Sequence, residues 1–554
     1  MKSFQDKKIL KRANVFVYIS FLIFMLLMIR LFWIQIVKNS EYRAAVLKQH
    51  VKEVRVAPPR GIIFDRNLVR LTNRKHNKAL LLFKDTVKND EKSLKEIKDL
   101  TGYTDLELKR ILDTAGTTAE IMLEEKTSLN KISINGAILI DKENRYDENN
   151  ILSHVIGYVN ESDNMGISGI EKRYDDIFKQ DSKYGLLTVA IDGKQRLIPG
   201  MDVSEVSKQR TSKSNSVKLT IDYEIQKAVE NILDKDEKNG AVVVADVSSG
   251  DIIAMASRPN IDLTNVDNYF ESKKMELYNR ATELSYPPGS IFKIVVLLSA
   301  LENNMINEDE KFVCNGYETV GTVTIGCNKE EGHGEIDIEQ AFYDSCNSAF
   351  IQLGKRIGAK KIIETAKRIG FGSTIEIGLL EAEGNLPKDD ELLGPAIGNI
   401  SIGQGNIETT PIQITNMMMI IVNDGIWKDL SIVDSIVTDQ GRLVKKINRE
   451  DSYRAFPENI CKRIKIYLED VVEKGTARNI SIDDIGGGAG KTGSAQAILN
   501  QKKTVHGWFA GYFPKKEPKY VVTVFMEGGH SGSRSAAPIF EQIAKIIYDI
   551  EKHK

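Results

Sequence analysis

Residues 287–293 read PPGSIFK, with Ser290 and Lys293 three positions apart. Pro-Pro-Gly is a natural lead into a helix start. If a helix begins here, residues three apart share a face, and Lys293 lies beside the Ser290 hydroxyl. A serine hydroxyl attacks poorly until a base takes its proton. A lysine amine becomes that base when desolvation and a neighbouring cation draw its pKa toward neutrality. A helix N-terminus also offers a backbone N–H to an oxyanion. Taken alone, S-x-x-K arises by chance in most long chains, where it is a surface Ser and Lys. Its weight depends on partner motifs elsewhere in the chain.

Two later stretches supply that weight. YDSCNSAF, residues 343–350, contains Ser345, Cys346 and Asn347. In an extended or loop stretch, residues i and i+2 point one way and i+1 the other. Ser345 and Asn347 then share a side, where a hydroxyl relays a proton and an amide holds a carbonyl, and Cys346 turns away. The competing reading is an ordinary Asn/Ser helix cap. GGGAGKTGSAQ, residues 486–496, contains Lys491, Thr492, Gly493 and Ser494. A phosphate-binding P-loop needs glycine six positions before the lysine, and Ile485 stands there. A strand edge makes better sense, with a cation and a hydroxyl for a carboxylate and a glycine that permits close backbone approach.

The rest of the chain bounds the reading. At 554 residues it is too long for one ordinary core, so two or three domains are expected. Its 76 basic and 77 acidic residues nearly cancel, so no global field points to nucleic acid. Four cysteines, Cys314, Cys327, Cys346 and Cys461, make no disulfide framework. A basic N-terminus precedes an apolar run over 13–37, interrupted by Arg30. That run is long enough to span a membrane if Arg30 snorkels outward, and the basic flank places residues 1–12 in the cytoplasm. It is long for a cleaved signal peptide. Residues 38–215 are charged, with strand-like KALLLF and GAILI and an amphipathic helix in DLELKRILDTAG. They read as an elongated α+β spacer, ending in a polar loop or boundary over 207–216. From 216 to 554 the texture changes. SVKLTIDYEIQKAVENIL gives a strand and a helix, and GAVVVADVSSGDIIAMAS a hairpin. Helical patterns follow Ser290. Strands in VHGWFAGYFP and KYVVTVFMEG and a last helix close the chain. Strands at both ends with helices between predict an α+β domain whose terminal segments share one sheet flanked by helices.

S-x-x-K, S-x-N and K-T-G in that order are far more specific than any one of them. Such a set belongs to serine β-lactamases and penicillin-binding proteins. The sequence resembles a class B penicillin-binding protein over nearly its whole length. RGIIFDRN (60–67), SHVIGYV, GISGIEKRYDDIF and IDGKQR look like the family's spacer motifs, except that Leu68 stands where the family usually has Gly. SIGQGNIETTPIQ (401–413) resembles the stretch between the second and third catalytic motifs.

The resemblance implies a penicillin-binding/serine β-lactamase-like transpeptidase domain at 216–554, on a penicillin-binding protein dimerisation (spacer) domain at 38–215 and one transmembrane helix. It implies a D,D-transpeptidase outside the cell membrane that cross-links peptidoglycan stem peptides through an acyl-enzyme and is blocked covalently by β-lactams. Ser290 is then the nucleophile, Lys293 its base, and Ser345 and Lys491 the proton shuttle. Lys491 and Thr492, beside Gly493, face the terminal carboxylate, Asn347 binds the peptide amide, and Ser494 adds a backbone N–H to the oxyanion hole. The chemistry needs no cofactor. A polytopic membrane glycosyltransferase is the implied partner. A membrane-anchored β-lactamase or β-lactam sensor is the alternative, and the long spacer argues against it. A Ser-His-Asp triad is disfavoured, because no G-x-S-x-G surrounds Ser290; His506 and His530 read as structural or substrate-side residues.

Cys314, Cys327, His333 and Cys346 supply three thiols and an imidazole within a short region, a set tetrahedral zinc accepts. A subset of class B penicillin-binding proteins looks similar here, which implies a structural zinc beside the active site. A Cys314–Cys327 disulfide and inert buried thiols are the competing readings.

Overall fold

The computed structural model describes residues 2–42, 45, 51–56, 60–113, 116–123, 134–160, 163–179, 185–190, 215–235, 239–307, 309–450, 452–499 and 502–553. The spacer motif IDGKQR and residues 207–214 of the expected boundary loop lie outside them. Asn215 and Ser216, read as loop, already belong to a strand, Asn215–Leu219, that is largely buried.

The chain forms two compact units that interleave in sequence. One comprises 1–59, 76–143 and 183–212; the other comprises 60–75, 144–182 and 213–554. The first begins with a helix, Lys2–Phe32, that continues through a π-helical turn, Trp33–Val37. Its apolar stretch Ile9–Val37 is long enough to cross a membrane, and none of it is buried in protein. Arg30 and Lys38 both lie over the Trp33 ring, at 4.9 and 5.5 Å. Such amphipathic residues suit the end of a span. The same unit holds a three-stranded sheet around Lys75–Phe83, covered by the amphipathic helices Glu91–Thr101 and Asp105–Asp113. Ile97, Leu108 and Leu112 pack there on Leu80 and Leu82.

The second unit is built on a five-stranded antiparallel sheet. Its strands are β1 (Gly240–Asp246), β2 (Ile252–Arg258), β3 (Ala489–Leu499), β4 (Lys502–Phe513) and β5 (Tyr520–Met526), in the order β2-β1-β5-β4-β3. The predicted hairpin pairs Val243 with Met255, and the chain's last strands complete the same sheet, as the pattern of elements implied. Helices α1 (Tyr223–Lys235), α2 (Lys293–Glu302), α3 (Asn347–Ile357), α4 (Pro411–Val422), α5 (Glu458–Glu473) and α6 (Ala537–Lys552) surround it. Side chains alternate faces along a strand. Phe509 packs against Phe540 of α6, whereas Thr523, opposite Ala510 in the ladder, bonds Thr415 of α4 at 2.8 Å. The two helices therefore cover opposite faces. Lys491, opposite Ala510, faces the α4 side.

Local sequence explains the buried helices. α2 is apolar all round and buried from Lys293 to Ala300, as a central helix must be. α4 starts with a capping box: Thr410 Oγ1 accepts from Gln413 N–H, and the Gln413 side-chain carbonyl accepts from Thr410 N–H at 2.9 Å.

Segments expected to serve the spacer lie in this second unit. Arg60 of RGIIFDRN donates to Glu171 and Asp175 at 2.6 and 2.7 Å, and Arg145 donates to Glu171 at 2.6 Å. Both guanidinium groups lie over Phe178, at 5.1 and 5.4 Å. Motifs of the resemblance thus meet in one ionic cluster. Leu68, where glycine was expected, takes φ +65°. Its turn is held because Asp65 Oδ1 accepts from both Asn67 N–H and Val69 N–H at 2.7 Å.

Candidate active site

Ser290 sits in a 3-10 turn, Gly289–Phe292, and α2 proper begins at Lys293. The helix expected at once is therefore preceded by a tighter turn. Residues i and i+3 eclipse in a 3-10 turn, which suits the S-x-x-K spacing at least as well as an α-helix. Ser290 is half-buried and Lys293 is 0% exposed. Glycines let three segments converge on this turn. Gly289, at φ +53°, donates to Gly403 O at 2.9 Å, and a Cβ there would lie 2.5 Å from Ser494 O. A Cβ on Gly493 would lie 2.9 Å from Pro288 O. The close approach expected of Gly493 is thus present, and SIGQGNIETTPIQ packs directly behind the nucleophile turn.

Lys293 Nζ donates to Ser345 O at 2.6 Å, Ser345 Oγ at 3.2 Å and Asn347 Oδ1 at 2.8 Å. Ser345 and Asn347 do share a side, but the backbone is not extended. Ser345 adopts φ +58°, Cys346 is the N-cap of α3 and Asn347 is its first residue. The cap is the cysteine rather than the serine or asparagine: Cys346 Sγ accepts from Ala349 N–H at 3.5 Å. The Asn347 amide donates one N–H to Gly326 O at 3.0 Å, leaving its second.

Lys491 is also 0% exposed and sits on β3 with Thr492, Gly493 and Ser494. Its ammonium lies over Phe342 at 5.5 Å, and that of Lys293 over Phe350 at 5.5 Å. Burial brings Lys293 down to about 8, with the Cys346 and Cys327 thiols pulling the other way. Burial and then repulsion by Lys293 hold Lys491 well below the usual lysine range, opposed by Asp344. Burial and mutual repulsion thus favour the neutral form of both amines.

Reading by motif missed Thr476. Its hydroxyl shares a 2.6 Å hydrogen bond with that of Thr492, and its N–H donates to Tyr343 O. It follows α5, outside every motif, so no local pattern flags it. His506, read as structural or substrate-side, has an Nδ1 that accepts from Gly528 N–H at 3.3 Å and a ring packed edge-on against Tyr286 and Phe525.

The four metal-type ligands come together. One ligand atom from each of Cys314, Cys327, His333 and Cys346 lies within 4.8 Å of every other. Cys327 Sγ is 3.8 Å from Cys346 Sγ and 3.6 Å from His333 Nδ1. Tetrahedral zinc at its usual bond lengths holds such atoms about 3.7 Å apart. Cys314 and Cys327 are both free thiols, so they are not joined in the competing disulfide. Cys327 is pulled toward thiolate, first by its bond from Cys346 and then by N–H groups of Lys329, Ser348 and Asn347; Cys346 is pushed up by the same contact. The donor set and spacing fit a zinc ion. Cys461 is buried in packing on α5.

Together, a serine at a helix start, two buried amines, a hydroxyl–amide pair and a strand edge suit serine acyl transfer. Residues 240–545 match the penicillin binding protein transpeptidase domain. Stage V sporulation protein D of Bacillus subtilis is 28% identical, over 97% of this chain and 85% of that protein. The peptidoglycan D,D-transpeptidase MrdA of Acinetobacter baumannii is 25% identical, over 99% and 89%. The penicillin-binding protein PBP2 of Helicobacter pylori, solved in complex with MreC, has the same fold, with a TM-score of 0.70 at 21% identity over 91% of this chain and 100% of that one. The chain belongs to the penicillin-binding protein transpeptidase family, in class B.

Proposed function

We propose that this protein is a peptidoglycan D,D-transpeptidase in which Ser290 is the nucleophile. The observation that carries the reading is the buried Lys293 amine, three residues after Ser290 and hydrogen-bonded to both Ser345 and Asn347. Ser290 Oγ attacks the carbonyl between the two terminal D-alanines of a stem peptide while Lys293 takes its proton. The tetrahedral oxyanion is met by the N–H groups of Ser290 and Ser494. The peptide bond breaks, and the departing D-alanine amine receives a proton through Ser345 and Lys491. An amine of a second stem peptide then attacks the acyl-enzyme and frees Ser290, and the cross-link is the new amide. Thr492, oriented by Thr476, and Lys491 face the terminal carboxylate. The free N–H of Asn347 holds the peptide.

β-Lactams acylate Ser290 by the same attack, and slow hydrolysis leaves them bound. Residues 216–554 carry this chemistry, and 38–215 serve as spacer, of which 60–75 and 144–182 belong to the catalytic unit. Residues 13–37 anchor the chain with residues 1–12 in the cytoplasm and the site outside, where a polytopic glycosyltransferase supplies glycan strands. Cys314, Cys327, His333 and Cys346 hold a zinc ion of structural role, which ties the segment 314–333 to the start of α3.

Labelled penicillin tests the reading. Wild-type protein should carry the label on Ser290 for many minutes, and Ser290→Ala should carry none. Release within seconds would indicate a β-lactamase instead. Protein purified without chelator should contain one zinc per chain, lost in Cys327→Ser; a metal-free wild type removes the zinc assignment.

A further inference from the structure

The cleft beside the third motif carries more positive charge than this reaction uses. It has a volume of about 560 Å³, and Lys329, Arg478 and Arg534 line it with Asp344, Thr476 and Asn479. Three cations thus meet one carboxylate. Some other cations on this unit are paired: Lys355 holds Glu318 at 2.6 Å, and Arg368 holds Glu302 at 2.6 Å. Among the described residues, neither Lys329, Arg478 nor Arg534 has an ion-pair partner. A single exposed cation without a partner is ordinary. Three converging on one concavity raise a local positive potential that low-dielectric walls focus.

The walls of the cleft are tied to the catalytic motifs. Thr476 bonds Thr492 at 2.6 Å, and Gly532 N–H donates to Ser494 Oγ at 3.2 Å. Asn479 donates to Ser533 O at 3.1 Å, which joins the loop carrying Arg478 to the one carrying Arg534. Asn328 donates to Asp344 O at 2.9 Å, next to Ser345. A peptide laid along Lys491–Ser494 therefore runs alongside this cleft.

We propose that the cleft is an anion subsite in which Arg478 and Arg534, with Lys329, hold a carboxylate that a stem peptide carries away from its D-alanine terminus. The inference rests on the transpeptidase reading and extends it to substrate selection. Two guanidinium groups suit this role because each presents a planar fork of donors to a carboxylate. The carboxylate belongs either to the donor peptide or to the acceptor, and the chemistry of recognition is the same.

The test uses full-length protein and two pairs of synthetic peptides. One pair is a donor ending in D-Ala-D-Ala, with its internal carboxylate free or as the carboxamide. The other is an acceptor made in the same two forms. The readout is the ratio of kcat/KM between the forms of a pair, so partial unfolding of a variant lowers both and cancels. Wild type should favour the free carboxylate by about tenfold, the scale of a charge-assisted contact. The variant Arg478→Gln/Arg534→Gln should bring the ratio close to one. Preference in the donor pair assigns the carboxylate to the donor strand, and preference in the acceptor pair assigns it to the second strand. A ratio of one in wild type for both pairs, or a ratio unchanged in the variant, overturns the subsite. If Ser290 takes no penicillin, the transpeptidase reading falls first and the subsite falls with it.

Discussion

Two regions of the catalytic unit bury charge, and they do it in opposite ways. Arg60 and Arg145 are held by Glu171 and Asp175 at 2.6 to 2.7 Å and lie over one ring. Each positive charge there has a negative partner. Glu171 holds the arginines, and burial, which opposes the Arg60 charge, is outweighed by Glu171 and Asp175. Lys293 and Lys491 are equally buried but bond neutral acceptors, and burial outweighs the thiols and Asp344 that favour their charge. There the charge is the unfavourable form, and the proton can leave. Compensated burial marks the scaffold, and uncompensated burial marks the chemistry.

Removing one member from each region separates the two. Lys293→Ala should slow penicillin acylation of Ser290 about 10³-fold, within the range for loss of a positioned base. Its thermal stability should be unchanged or higher. The reason is the direction of the shift: between pH 8 and 10.5 the unfolded chain still holds a proton that folded Lys293 has lost, so stability rises with pH there and the lysine is a liability below it. Glu171→Gln should do the reverse. It leaves two buried guanidinium groups short of charge, costing about 3 kcal/mol in denaturant titration, while protein that remains folded acylates at nearly the wild-type rate. A large stability loss in the lysine variant, with Glu171→Gln fully stable, would break the comparison.

A pH profile sharpens it. As the proposed base, Lys293 accepts the serine proton only when neutral, and its pKa is brought down to about 8. The acylation rate should therefore climb roughly tenfold per pH unit below 8 and level off above it. An ordinary lysine would keep the rate climbing beyond pH 10. A plateau already reached at pH 6 would mean that Lys293 is not the group being titrated.

Much of this site was legible because the chemistry fixes residue types at short spacings. Ser290 and Lys293 share a turn, Ser345 and Asn347 flank one residue, and Lys491 to Ser494 are consecutive. The sheet was legible from its short β-rich runs, with the terminal segments expected to share it. Other features were not. The ionic cluster joins Arg60 to Glu171 and Asp175 across more than a hundred residues, so a charged stretch that reads as spacer folds with the catalytic unit instead. The conformation around Ser345 was also hidden. An extended stretch and a left-handed residue before a helix put the same two side chains on one side, and sequence spacing does not distinguish them.

Thr476 is the smallest expected effect and the most local. Its only described side-chain bond is to Thr492, at 2.6 Å. Two hydroxyls in such contact order each other, because one proton lies between them and the remaining proton is directed elsewhere. If Thr492 meets the terminal carboxylate, Thr476 determines whether its hydroxyl arrives as a donor. Thr476→Val keeps the shape and removes that control. One neutral hydrogen bond is worth about 1 kcal/mol, so acylation by penicillin at low concentration should fall about fivefold. The loss should appear in the concentration dependence, with the limiting rate and its pH midpoint near 8 unchanged, because Lys293 is untouched. A shifted midpoint would mean that Thr476 acts on the buried amines and belongs with the uncompensated charges.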